Sequence, residues 1–376
     1  MGSDQNKKIR VGLVLQGGGA LGAEQAGMIA GLVLNPNIEI KIITGVSAGL
    51  INGATVKQVF NHHGYSTESR RMVGDILMDK WLNRIGLDPI SSATVQQAQD
   101  NMDAVGHAIE AAQSFGRVAN IAPLMQWMTA PAQIQRSMIL RQAKALYSTM
   151  FKNLINNSVV INPDALQSTE NVALYGEAVN ATTMRGRIFG PHEMTSDVLM
   201  ASASLPDVFH PVQIGDHFYI DGACQGGSNA PIEPIIDHLG DLDVVIGLAT
   251  NPPNVPYQDK NPRSLGAKDL EQSNGLILTQ GLWPLVQLME RREKGQNIPP
   301  VHIVWRRDDH VIFTQKDKLN TSRRFLCDRF IEGFETIRAF IVNHGETLDS
   351  QPSMTSDHFK KIARRNAHQG RHLVAA

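Results

Sequence analysis

IEIKIITGVSAGLING, residues 38–53, starts as a β-branched run, turns through Gly45-Val46-Ser47-Ala48-Gly49 and leaves as a helix-like segment. Isoleucines crowd its first half as they do in a buried strand. One serine between two glycines then sits where strand becomes helix. Such a turn exposes a hydroxyl at the carboxyl edge of a sheet, and the helix start adds partial positive charge beside it. A G-x-S-x-G match is a weak signal alone, so the rest of the chain must supply its context.

Upstream, IRVGLVLQ (9–16) reads as a strand and AEQAGMIAGLVL (23–34) as a helix, broken by Asn35, Pro36 and Asn37. Two strand–helix pairs in succession open a parallel α/β sheet with short connections. GGGALG (17–22) joins the first pair. Consecutive glycines after a strand can turn successive N–H groups toward one point, which suits them to hold an oxyanion made at Ser47. Gly17, Gly19 and Gly22 also satisfy the dinucleotide fingerprint, which needs an acid at the carboxyl end of the second strand. Glu39 stands at that strand's beginning, and its end carries Gly45-Val46-Ser47 instead. A P-loop fails because no Lys-Ser or Lys-Thr follows the glycines.

Further on, ENVALYGEAVNATTMRGRIFG (170–190) predicts two strands around a turn, and SDVLMASASLP (196–206) a short helix. FHPVQIGDHFYIDGA (209–223) predicts a hairpin turning at Gly215. LDVVIGLAT and PVHIVWR are further buried strands, and SRRFLCDRFIEGFETIRAFIVNHG (322–345) is a terminal helix expected to pack on the sheet. Asp221 ends a strand and enters a turn through Gly222. A desolvated carboxylate there, within reach of Ser47, can serve as general base. His238 follows Asp221 in the order of a hydrolase triad, yet that fold places its nucleophile after several strands and Ser47 follows the second. His210, His217 and Cys224 read as hairpin and turn residues, and Asp207 and Asp216 as turn carboxylates.

LVLQGGGALGAEQAGMI, GVSAGLING and ASASLPDVFHPVQIGDHFYIDGA stand in the order and at about the separations of the patatin-like phospholipases, which the chain resembles from about residue 8 to 250. The resemblance implies a three-layer α/β fold with a mainly parallel central sheet. It implies a Ser-Asp dyad of Ser47 and Asp221, an oxyanion loop of Gly17, Gly18 and Gly19, and supporting glycines at 22, 45, 49 and 222. Leu21 departs from the arginine or lysine frequent in the family's loop, and Ala223 stands where glycine is commoner. The loop is similar to a bacterial branch that carries a C-terminal extension. On that basis a catalytic domain is expected over 8–250, with a helical insertion at about 91–151. A helical extension packed on it follows at 251–350, and a basic tail at 351–376. The implied activity is hydrolysis of lipid carboxylic esters through an acyl-enzyme, with no metal or organic cofactor required. The same dyad also serves acyl transfer and thioester hydrolysis, and a lipid-binding protein that keeps the fold without turnover is a third reading.

Composition narrows the partners. The 376 residues are 42 % hydrophobic and 19 % charged, with a net charge of -1, so no global field recruits nucleic acid. Two cysteines make neither a disulfide framework nor a zinc motif. No apolar run approaches a membrane span, MGSDQNKKIR lacks a signal-peptide core, and Asn6 replaces the serine or threonine of a myristoylation signal. The expectation is a cytoplasmic protein or a secreted effector, peripheral on membranes where its lipid or phospholipid substrate lies. Five methionines and Trp127 between Met102 and Met150 fit core filling in the insertion, or a cap over a lipid site.

Overall fold

A computed structural model describes residues 7–86, 144–145, 148–206, 208–251, 281–306 and 315–362. The expected insertion lies almost wholly outside the described residues, as do Asp207, residues 252–280 of the expected extension and the end of the tail.

Strands β1 (Ile9–Leu15) and β2 (Ile38–Gly45) are separated by helix α1 (Gly22–Val33). Helices α2 (Ala48–His63), α3 (Thr67–Asp79) and α4 (Pro163–Gln167) precede β3 (Ala173–Asn180) and β4 (Arg185–Phe189). Then come α5 (Ser196–Ser202), the hairpin β5 (Val212–Ile214) and β6 (His217–Asp221), α6 (Glu233–Asp237) and β7 (Val244–Leu248). Helix α7 (Trp283–Glu293), β8 (Val301–Val304) and the long α8 (Arg323–His344) complete the described elements.

The eight strands form one mixed sheet. β3, β2, β1, β7 and β8 run parallel in that order, while β4, β5 and β6 are antiparallel additions. From Val11 to Leu15 central β1 is a continuous apolar run because both its faces are covered there. Its alternate residues face two separate cores. Leu13 and Leu15 join Ile43, Ile246 and Leu248 under α1, α2 and α5, whereas Val14 joins Ile42, Val245 and Ile303 against α6 and α7. Helix, sheet and helix thus make the three layers that the family resemblance implied.

One expectation is corrected. Helix α8 packs on α1 rather than on the sheet. Helix α1 already covers the sheet there, and its glycines leave a shallow outer face into which α8 fits; a Cβ on Gly27 would stand 2.0 Å from Phe330 O.

Register brings the functional loops to one rim. Leu15 lies opposite both Gly45 and Leu248, and Gly45 lies opposite Gly176. The segments after β1, β2 and β7, which carry the glycine loop, Ser47 and Thr250, therefore leave the sheet at the same carboxyl edge, where ligands of open α/β sheets bind.

Candidate active site

Strand β3 explains how residues 47 and 221 meet. β2 occupies one edge of β3 as far as Gly176, which pairs on its other edge with Phe189 of β4. At Ala178, β4 still holds that other edge, so Asp221 of β6 must lie on the edge that β2 has vacated. β2 and β6 approach from opposite directions and stop two residues apart, about 7 Å along the strand. Their next residues share one small volume: a Cβ on Gly222 would be 3.0 Å from Val46 Cγ1 and 2.5 Å from Glu177 O.

Ser47 holds φ 53° and ψ -126°, a region that L residues rarely occupy. Such a conformation costs about 1–3 kcal/mol and persists where the surroundings over-determine it. Here the Ser47 N–H donates to Ser202 Oγ at 3.0 Å, and the Ser202 hydroxyl donates to Glu177 O at 2.6 Å. Gly45 closes β2, and Gly49 allows the tight turn, since a Cβ there would lie 2.5 Å from Leu15 O. Gly22 opens α1 with Ala48 against it; a Cβ would meet the Ala48 Cβ at 2.6 Å.

Asp221 is fully buried. Its Oδ1 accepts the Ala223 N–H at 2.7 Å, and its Oδ2 has no hydrogen-bond partner. Burial is the largest influence on its pKa and pushes it up to about 7, with the Glu177 carboxylate raising it further. The Ala223 N–H and the Ser47 side chain pull it down. The Ser47 hydroxyl is thus near enough to favour the ionised carboxylate, while no closed hydrogen bond joins the two. Glu177, its own pKa raised mainly by burial, accepts the Ser228 N–H and hydroxyl.

The glycine loop lies against this pair. A Cβ on Gly17 would come within 3.2 Å of Ser47 Cβ. Gln25 donates to Gln16 O at 3.0 Å, the Thr250 hydroxyl donates to Gly17 O at 2.8 Å, and Gln16 Oε1 accepts the Thr250 N–H at 3.1 Å. The Gly17 N–H is engaged by Asn229 O at 3.3 Å, so of the three expected donors it is the one already committed. The N–H groups of Gly18, Gly19 and Ala48 have no partner among the described residues. Gly19 takes φ +58°, the left-handed backbone that glycine permits.

Sequence reasoning missed Ala48, Ser202, Asn229 and Thr250. Ala48 lies inside the G-x-S-x-G turn, where the residue after a nucleophile supplies an oxyanion N–H, whereas Ser202, Asn229 and Thr250 belong to no local chemical pattern and act through contacts made by the fold. His238 does not join the site: its Nδ1 lies 2.8 Å from Pro234 O, beside Tyr175 on the opposite face of the sheet.

A family model described as patatin-like phospholipase matches residues 13–236. No curated protein matches the chain significantly. Among solved structures, VipD from Legionella pneumophila is similar at 12 % identity and a TM-score of 0.37, over 99 % of this chain and 75 % of that one. The type III effector protein ExoU is similar at 13 % identity and a TM-score of 0.23, over 87 % of this chain and 53 % of that one. The chain therefore spans about half the length of ExoU.

Proposed function

This chain belongs to the patatin-like phospholipase family, and on that premise we propose that it is a lipid acyl hydrolase working through Ser47 and Asp221. The observation that carries the reading is the Asp221 carboxyl, buried beside the Ser47 hydroxyl with Oδ2 unpartnered. In the acylation half, Ser47 Oγ attacks the ester carbonyl as Asp221 takes its proton. The tetrahedral oxyanion accepts hydrogen bonds from the N–H groups of Gly18, Gly19 and Ala48. Its collapse breaks the ester C–O bond, and protonated Asp221 returns the proton to the leaving alcohol. Water then attacks the acyl-Ser47 carbonyl, giving its proton to Asp221, which hands it back to Ser47 Oγ as the fatty acid departs. A carboxyl poised at about 7 suits both acceptance and return of a proton near neutral pH. Each well-placed oxyanion donor contributes about 3–4 kcal/mol.

The test is release of p-nitrophenol from medium-chain esters. Ser47→Ala and Asp221→Asn should each reduce it by at least about a thousandfold with unchanged circular dichroism, and kcat of the wild type should climb with pH through about 7. A fluorophosphonate probe should label Ser47 stoichiometrically. Undiminished turnover in either folded variant would defeat the assignment.

A further inference from the structure

Beyond Ser47 and Asp221, a groove of about 450 Å³ opens where β3, β4 and β6 lie side by side, lined by Asn180, Thr183, Arg185, Arg187, His217 and Tyr219. Its position follows from register. Ala178 is opposite both Arg187 and Asp221, and Asn180 is opposite both Arg185 and Tyr219. Directly paired antiparallel residues share a face, as do alternate residues along a strand. The cations therefore stand on the face of the sheet that bears Asp221, with Arg187 two strand spacings away, about 10 Å.

The groove presents donors and withholds acceptors. Asn180 Oδ1 accepts the N–H groups of Thr182 and Thr183, each at 3.0 Å, which leaves its Nδ2 donors for a ligand. Both Glu193 oxygens are engaged: Oε1 accepts from Arg187 at 2.6 Å and Oε2 from the Gly190 N–H at 3.0 Å. The Tyr219 hydroxyl accepts from Arg187 Nη1 at 3.2 Å, so its own proton points elsewhere. Arg187 is fixed further by the Phe189 ring, 4.3 Å below its guanidinium. The Arg185 side chain is exposed and makes no ion pair or hydrogen bond among the described residues.

Two arginines, a histidine and three neutral donors, with the neighbouring acceptors consumed, fit a group that has negative charge and several acceptor oxygens. We propose that this groove binds a phosphate group, carried by a lipid head group. The glycine loop offers no cation for that purpose, since Leu21 is fully buried. Met184, 44 % exposed, immediately precedes Arg185 in the turn between β3 and β4 and sets an apolar side chain beside that cation, as contact with a lipid surface needs. The carrier's identity rests on the lipid-hydrolase reading; the phosphate chemistry of the groove does not.

The experiment measures binding by the full chain in two arms. One is co-sedimentation with phosphatidylcholine vesicles, with and without phosphatidic acid. The other is calorimetric titration with soluble glycerol 3-phosphate. The variants are the doubly substituted Arg185→Gln/His217→Asn protein and, as a control for lost charge, Arg338→Gln on the exposed face of α8. Wild type should favour phosphatidic-acid vesicles, the double variant should bind them at least about tenfold more weakly, and Arg338→Gln should match wild type. Binding of glycerol 3-phosphate that the double variant loses, without vesicle preference, supports the site and assigns it a free phosphate ester. Equal binding by wild type and the double variant in both arms, or an equal loss in Arg338→Gln, overturns the proposal. Neither arm reads turnover, so an inactive protein that binds phosphate through Arg185 and His217 would sink the hydrolase reading and leave the groove standing.

Discussion

Ser47 keeps an unfavourable backbone because Ser202 grips its N–H, and that grip reaches the carboxylate as well. The Asp221 N–H donates to Ser204 O at 3.0 Å, two residues beyond Ser202. Ser202→Ala removes the acceptor for Ser47 and the donor to Glu177 together. Its expected effect is a fall in kcat of about tenfold or more with KM within about twofold, because positioning rather than binding is lost; a changed KM at constant kcat would contradict this. Asp221 makes a separate prediction about stability. Its folded pKa of about 7 exceeds its ordinary 3.8, so the folded state prefers the protonated form. The stability this confers is complete below about 3.8 and is lost as pH rises through about 7. Asp221→Asn should therefore raise Tm by a few degrees at pH 8 while leaving it unchanged at pH 4. Equal melting at pH 8 would mean the carboxylate carries no burial penalty. Neither Ser202 nor the depth of Asp221 was legible in the sequence, since both depend on segments more than a hundred residues apart.

Helices α1 and α8 meet through missing side chains. A Cβ on Gly333 would lie 1.8 Å from Glu24 O, and one on Gly31 would lie 2.4 Å from Ile337 Cγ2. Beside this crossing Glu24 is buried and accepts from Arg329 Nη1 at 3.2 Å, with desolvation pushing its pKa up to about 7. Replacing glycine by alanine inside a helix ordinarily stabilises by about 0.5–1 kcal/mol. At Gly333 the sign should reverse, with a loss of at least about 1–3 kcal/mol from overpacking, read as a lower urea midpoint. A midpoint at or above wild type would show that the helices can separate at little cost. Both helices were legible from their spacing of apolar residues, and α8 falls within one residue of expectation at each end. Their pairing was not. Periodicity says that a helix has an apolar face, and it does not say which surface covers that face.

Across the molecule, the segment after residue 250 is built into the sheet and its cover. β8 pairs in parallel with β7, and Leu326, Phe330 and Ile337 of α8 belong to the core under α1. A chain ended at residue 250 strips β7 of a neighbour and uncovers α1, so it should lack a cooperative thermal transition that the full chain shows. A sharp transition in the truncated protein would establish an independent catalytic unit. No helix among the described residues is long and apolar enough to cross a membrane.

Local chemistry settled much from the sequence alone. The strand–turn–helix around Ser47, the glycine loop after β1 and the hairpin leading to Asp221 each follow from near neighbours, because backbone sterics and apolar periodicity act over a few residues. Their order along the chain carried the family resemblance. Tertiary structure decided what distance conceals: that β6 takes over the edge of β3 where β2 ends, that Asn229 engages the Gly17 N–H, and that Arg185, Arg187 and His217 share a face with Asp221. Strand register and burial set those relations, and both belong to the packed chain as a whole.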